Sequence, residues 1–417
     1  MLPSVLGNLT LGYQLVWNRL RQPAAVQLFV DLRPHASVDA AHLLAALERA
    51  WSEQSPVLLL CVQNADLLLD LLRHAPPDGP WIVVQEQQLA DPLLAEQVRE
   101  AHLRGVPVWS RNAPGQAAGA ADGAGVKRSI TSLTAAQALS ALRVALHQVR
   151  AGAGAPAGAL KSPVAAGQVY ESVASRMLAE HCLDQQGAWG VAGWPMEDVL
   201  HGYRQQQIQP GERAIVKLVE ATDADAAMEI IEHGLAEEPV LTYRFLRFAN
   251  SAAFGQRVGI DSLRHGLMVL GLSTFRNWLL EQLPHATSDL NLQPVRTAMV
   301  VRARLMEQLL DAGDEDKLRR EVFLCGLLSQ IDLVLGEPMA AVLQKIPVSE
   351  RITEAILHDA GPYAPFLAMA TALEYPNTGT LPELCDNHAI EPADVNRALL
   401  RVLAHAHTRP AKGRLLD

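Results

Sequence analysis

Apolar residues follow two rhythms along this chain. Up to about Trp109, short unbroken apolar runs alternate with stretches whose apolar positions recur at helical spacing. The runs are Ala25–Val30, Val57–Val62, Trp81–Val84 and Val106–Trp109. Short continuous runs of this sort suit strands buried on both faces. Between them, Val38–Trp51, Ala65–His74 and Asp91–Arg104 keep a helical period. Strand and helix in alternation predict a parallel sheet, open or closed into a barrel.

The pattern lapses from about Asn112 to Gln168. Ala113–Gly125 and Ala151–Ala159 are built almost entirely from Ala and Gly, whose small side chains cannot offset the entropy of ordering the backbone. Between these stretches Leu133–Val149 predicts a helix. Thr131 or Ser132 could cap it, and Leu139, Leu142, Val144, Leu146 and Val149 supply its apolar stripe. Beyond about Met196 the strand signal ends. Helical segments follow one another, punctuated at Pro210, Pro239, Pro284, Pro294, Pro338, Pro347 and Pro382, several of which sit where a first-turn proline belongs. The expected organisation is α+β and multidomain. Residues 1–200 form an α/β domain with a flexible Ala/Gly-rich insert around 112–168, and residues 201–417 form an all-α domain.

Composition narrows the function. With 417 residues, 49% hydrophobic and 19% charged, the chain can build two cores and is not of the disordered class. A formal net charge of −10 argues against nucleic acid as partner, because backbone binding needs a basic face. The basic residues Arg296, Arg302, Arg304, Lys317, Arg319 and Arg320 are interleaved with Glu307, Asp311, Asp314, Glu315 and Asp316, which predicts a solvated helix face laced with ion pairs. No apolar run is long enough to span a bilayer, and Met1–Val5 has no signal-peptide character. Cys61, Cys182, Cys325 and Cys385 form no CxxC pair and are expected as buried thiols in a reducing cytoplasm. No P-loop, HExxH or GxSxG motif occurs, and the glycines of 119–125 neither follow a strand nor open a helix.

Leu246–Ala252 follows the amphipathic run Pro239–Phe245 and precedes Ile260–Gly271. An Asn-Ser pair ending an apolar helix, then Ile-x-Ser-Leu, then Leu-Gly-Leu, resembles the signature of the HDOD family. Asn250, Ser251, Gly255, Leu270, Gly271 and Trp278 carry the resemblance, which spans roughly residues 205–405. The HDOD resemblance implies an all-helical domain related to HD-type phosphohydrolases but without their metal ligands. Asn250 and Ser251 are read as helix capping rather than ligand contacts, because a terminal Asn accepts left-handed angles and its amide can satisfy open carbonyls. Gly255 and Gly271 are read as helix stops.

In HD-type hydrolases an adjacent His-Asp pair sits in a Gly-Leu-Leu-His-Asp-Ile context. Here the corresponding run is Gly326-Leu327-Leu328-Ser329-Gln330-Ile331, so Ser329 and Gln330 mark the position of the lost pair. The earlier metal-binding His should lie on the helix containing Val295–Leu309, which has no histidine. Ser and Gln are neutral and poor divalent-metal ligands. His358-Asp359 is a genuine His-Asp dipeptide, but it comes later than the resemblance requires. A packing and dipole role at a helix end accounts for it.

Gly12-Tyr13-Gln14-Leu15-Val16 resembles the opening of EAL-type domains, the (β/α)8 barrels that hydrolyse cyclic di-GMP. Asn64 falls where that family has a metal-binding Asn, and Glu86 lies near a strand end carrying a catalytic Glu. Val191–Pro195 falls at the last barrel strand. Gln14 replaces a Glu, and Ser110-Arg111-Asn112-Ala113 stands where paired aspartates should be. The Ala/Gly tether then stands in place of roughly two βα units of the usual length, so the expected domain is a truncated, degenerate EAL-like barrel that does not close normally. Taken together, the resemblances imply a cytoplasmic bacterial signalling scaffold with no catalytic activity, metal or cofactor. Its partners would be proteins, a second copy of the chain among them, with neither nucleic acid nor membrane. The alternative is a sensor that binds cyclic di-GMP or a related nucleotide without hydrolysis. A third reading, a metal hydrolase built on His358 and Asp359, ranks below both.

Overall fold

A computed structural model of the chain describes residues 5–113, 126–151, 161–204, 206–251, 262–310 and 316–406. It divides into two compact units, one formed by Met1–Pro195 with Ala372–Asp417 and the other by Met196–Thr371.

The first unit is a closed eight-stranded barrel. Strands β1 (Leu9–Trp17) and β2 (Pro23–Leu32) form an antiparallel hairpin. Then β3 (Val57–Val62), β4 (Trp81–Gln85), β5 (Val108–Asn112), β6 (Ser129–Ser132), β7 (Val169–Glu171) and β8 (Gly190–Ala192) continue parallel to β2. Val16 pairs with Ala192 and Trp17 with Val191, and these antiparallel pairs complete the circle. The expected failure to close is therefore corrected. The two strands thought missing are β6 and β7, four and three residues long. Ser129-Ile130-Thr131-Ser132 gives almost no apolar signal, yet Ser110 pairs with Ser129 and Ile130 with Val169. A strand this short is made by its neighbours' backbone groups rather than by its own side chains. It also displaces the predicted cap. Thr131 and Ser132 lie in β6, and the following helix, Ala135–Ala151, has Thr134 Oγ1 accepting from Gln137 N.

Inward side chains alternate along the strands, as period two requires. Ala25, Phe29, Leu59, Cys61, Val83, Trp109, Ile130 and Val169 fill the barrel interior. At the strand starts Trp81, Trp109 and Trp189 pack with ring centroids 5.5–5.7 Å apart, which plugs that end. The insert around 112–168 is described only at its edges and at 126–151.

The last helices, Leu381–His388 and Pro392–Ala404, belong to the barrel unit. Asn396 Nδ2 donates to the Leu6 and Leu9 carbonyls at 2.8 and 2.9 Å, and Thr378 Oγ1 donates to Asp31 at 2.6 Å. A side chain at Gly12 would come within 2.5 Å of the Tyr375 carbonyl, so glycine is needed for this close approach. The division at 200/201 thus differs at its far end. Helical periodicity tells which face of a helix is apolar, but not which core receives it.

Among the described residues the second unit is helical throughout, apart from one bridge between Gly211 and Thr287. Phe245, Phe275 and Trp278 meet edge-on or stacked at 5.2–5.9 Å in its core. Glu238 and Arg296 form an ion pair at 3.0 Å with side chains 2% and 4% exposed. Glu238 also accepts from Gly211 N at 2.8 Å, and Arg296 donates to the Gln209 carbonyl.

Candidate functional site

Strands β2 to β8 run the same way, so their C-terminal ends gather at one mouth, the place where barrels of this type carry their sites. A cavity of about 340 Å3 opens there. Arg111 near the end of β5, Glu171 at the end of β7 and Gln14 of β1 line it, with Phe29, Ser172 and Trp194.

Arg111 is the centre of this arrangement. Its Nη2 donates to Gln27 Oε1 at 2.5 Å and reaches Cys61 Sγ at 3.7 Å. Its Nε lies 3.4 Å from Glu171, and its Cζ stands 5.5 Å over the Phe29 ring. Nη1 makes no hydrogen bond to any described residue. Glu171 in turn accepts from Ser132 Oγ at 3.1 Å. Beneath Arg111, Gln27 is fully buried and its Nε2 has no partner among the described residues. Burial pushes the Cys61 thiol up, against the opposing charge of Arg111.

Two positive backbone angles shape the rim. Ser172 has φ 56 and Gly193 φ 71. A left-handed Ser is uncommon, and residues held that way gather at ligand sites. At Gly193 a Cβ would also meet Gln14 Nε2 at 2.8 Å. Trp194 is held edge-on to Trp17 at 6.4 Å, with Arg21 5.7 Å from its ring.

Of the residues expected at this mouth, Gln14 lines the cavity and Arg111, in the place of the paired aspartates, faces it. Asn64 does not act there. It caps the helix Ala65–His74, accepting from Leu67 N at 2.9 Å. Glu86 opens the short 3-10 turn after β4. Glu171 and Ser172 were not legible as site residues, because the short strand that aims them lacks an apolar run of its own, and Gln27 sits unmarked inside the apolar run of β2. Among the described residues no cluster of three His, Cys, Asp or Glu side chains could hold a metal ion.

In the helical unit the two segments that hold the metal in HD-type hydrolases, and were expected here without their ligands, do meet, and an arginine joins them. Helices Gln293–Leu309 and Asp316–Leu328 pack so tightly that a Cβ at Gly326 would lie 2.6 Å from Ala303 Cα. This brings Arg302, 6% exposed, to Ser329 and Gln330. Arg302 Nη1 donates to Ser329 Oγ at 3.3 Å. With its amide turned so that oxygen faces donor, Gln330 Oε1 accepts from both guanidinium nitrogens at 3.1 Å. The solvated basic face expected here is corrected accordingly: Arg296 and Arg302 are buried, because both helices carry apolar residues around most of their circumference. Only further along does the ion-pair pattern hold. A second cavity of about 380 Å3 has Arg264 and Arg320 on its wall, paired with Glu229 and Glu232 and with Glu232 and Asp316 at 2.7–3.7 Å.

Asn250 ends the helix Pro239–Ala249 with φ −95, not a left-handed angle, and its Nδ2 donates to the Leu246 carbonyl at 2.7 Å. Ser251 N donates to the Phe248 carbonyl. Leu270 ends the helix Leu263–Leu270, and Gly271, with φ 74 and ψ 156, joins it to Leu272–Gln282. Trp278 stacks on Phe248 at 5.5 Å. Gly255, Asp311, Asp314, Glu315 and most of the Ala/Gly-rich stretches lie outside the described residues. His358 and Asp359 end the helix Glu350–His358, exposed, with Asp359 left-handed at φ 50.

Comparison with known proteins follows the same division. The HDOD domain matches residues 212–361, all within the helical unit. The uncharacterized protein YuxH of Bacillus subtilis is 24% identical over 186 residues, 43% of this chain and 43% of that protein. The cyclic di-GMP phosphodiesterase CdgJ of Vibrio cholerae is 21% identical over 170 residues, 41% of this chain and 39% of that protein. Each match thus spans less than half the length of these curated relatives. The crystal structure of the MmoQ response regulator from Methylococcus capsulatus aligns at TM-score 0.38 and 19% identity, over 48% of this chain and 99% of that one. The expectation of a chain without catalytic activity is corrected here, since one relative bears the name of a phosphodiesterase. No helix among the described residues is long and apolar enough to cross a membrane.

Proposed function

We propose that this chain is a regulatory protein of cyclic di-GMP signalling in which the HDOD unit docks a protein partner and the barrel mouth receives the nucleotide. The HDOD match at 212–361 and the relationship to CdgJ support the pathway. The single observation that carries the nucleotide reading is the mouth cavity, whose lining includes Arg111, with a guanidinium nitrogen unbonded among the described residues, and the aromatic Trp194. The EAL-type opening at Gly12–Val16 supports the same ligand. A protein or a second copy of the chain is the fitting macromolecular partner, since a net charge of −10 repels nucleic acid. The cytoplasm is the compartment where such a pathway and such buried free thiols belong.

The test is a calorimetric titration of the full chain with cyclic di-GMP, with and without Mg2+ or Mn2+, followed by chromatography of the products. Heat of binding is the expected result, and the product analysis reads turnover directly. Absence of binding under every condition would overturn the nucleotide reading.

A further inference from the structure

The barrel mouth holds polar groups in three distinct states, and their combination specifies a ligand. Glu171 is committed: it accepts from Ser132 and lies 3.4 Å from Arg111 Nε. Arg111 is half committed, tied below to Gln27 and Cys61 with Nη1 unused. The Gln14 amide and the Ser172 hydroxyl line the cavity and bond to no described residue. Uncommitted donors around a cationic centre, at a rim held by a left-handed Ser172, call for an anion with several acceptor oxygens. The unused guanidinium N–H can donate a charge-assisted hydrogen bond to a phosphate oxygen. Trp194 on the cavity wall is an aromatic neighbour for a bound base.

We infer that the mouth binds a nucleotide phosphate through Arg111 without a metal ion, and that Glu171 is the internal counterion which the phosphate displaces from Arg111. This rests on the nucleotide reading above and specifies how the ligand is held. Gln27 is a positioning residue. Its Oε1 fixes the guanidinium from beneath, and its own unpartnered Nε2, in a fully buried side chain, gives the same layer a further donor. Because Glu171 competes for Arg111, affinity depends on which anion the arginine faces. Removing the carboxylate therefore strengthens binding, whereas adding one to the cavity weakens it.

The experiment is a titration of the full chain in EDTA with cyclic di-GMP and, separately, with GMP. Cyclic di-GMP should bind in EDTA with an affinity unchanged by added Mg2+. Glu171→Gln should tighten it several-fold, and Arg111→Gln should weaken it roughly tenfold or more, as the loss of one charge-assisted pair implies. Arg111→Gln could unsettle the barrel by stranding Glu171, so Gln14→Glu provides a second reading. It is nearly isosteric at a side chain without a partner, and its added charge should weaken binding while the melting temperature holds. GMP binding with the same response to these variants would assign recognition to the phosphate and one base. Binding that requires Mg2+, or that ignores Arg111→Gln and Gln14→Glu, would overturn the metal-free phosphate site and leave the nucleotide reading standing. Silence under all conditions would remove both.

Discussion

Two arginines stand where the resemblances place metal chemistry, one in each unit, and they are used in opposite ways. Arg302 is 6% exposed and is held by Ser329 and Gln330 at 3.1–3.3 Å. Arg111 lies in the wall of an open cavity with its Nη1 unbonded. A fixed guanidinium can substitute for the charge of a lost cation. Whether it then joins two helices or greets a ligand is decided by burial and by how many of its donors are already engaged. In the helical unit, charge has become part of the packing. In the barrel it remains at a surface where water or a ligand can reach it.

The sharpest break of this contrast lies in the helical unit's buried ion pair. Glu238→Ala leaves Arg296 charged and buried, and should lower stability by about 3–5 kcal/mol in urea unfolding; a loss below about 1 kcal/mol would mean that water reaches this pair. Arg302→Met removes the donors facing Ser329 and Gln330, and should lower stability by roughly 1–3 kcal/mol. If it instead proved neutral, Arg302 would belong with Arg111 and the contrast would fail. At the barrel mouth Gln14→Leu should change stability by no more than about 0.5 kcal/mol, since its amide bonds to no described residue; a larger melting shift would make it a structural group. Smallest of all is the response of the thiols. Burial pushes Cys182 and Cys325 up to about 12, so both stay protonated across neutral and mildly alkaline pH. Ellman's reagent should find them only after denaturation, and prompt labelling of the native chain would contradict that burial.

The pattern of apolar positions made some of this legible and hid the rest for physical reasons. Val57–Val62 runs as a strand within the very bounds its apolar run marked, and Ala65–His74 as a helix, since each carries enough side-chain signal to define itself. The strands Ser129–Ser132 and Val169–Glu171 carry little, and they exist because neighbouring strands supply hydrogen-bond partners. The candidate site depends on those short strands. Gln14 and Arg111 could be noticed as departures from a family pattern, whereas Glu171 could not, because its meaning lies in its distance from Arg111.

Local sequence determined the two architectures: a strand–helix alternation in the first part and helices in the second. Local rules of period and propensity act over a few residues, and they suffice for this. Tertiary structure alone decided that the barrel closes, that the helices Leu381–His388 and Pro392–Ala404 return to it, and that Arg302 and Arg111 have different surroundings. Closure, docking and burial join residues far apart in the chain. Arg111 meets Glu171 across 60 positions and Gln27 across 84, and no window along the sequence contains such a pair.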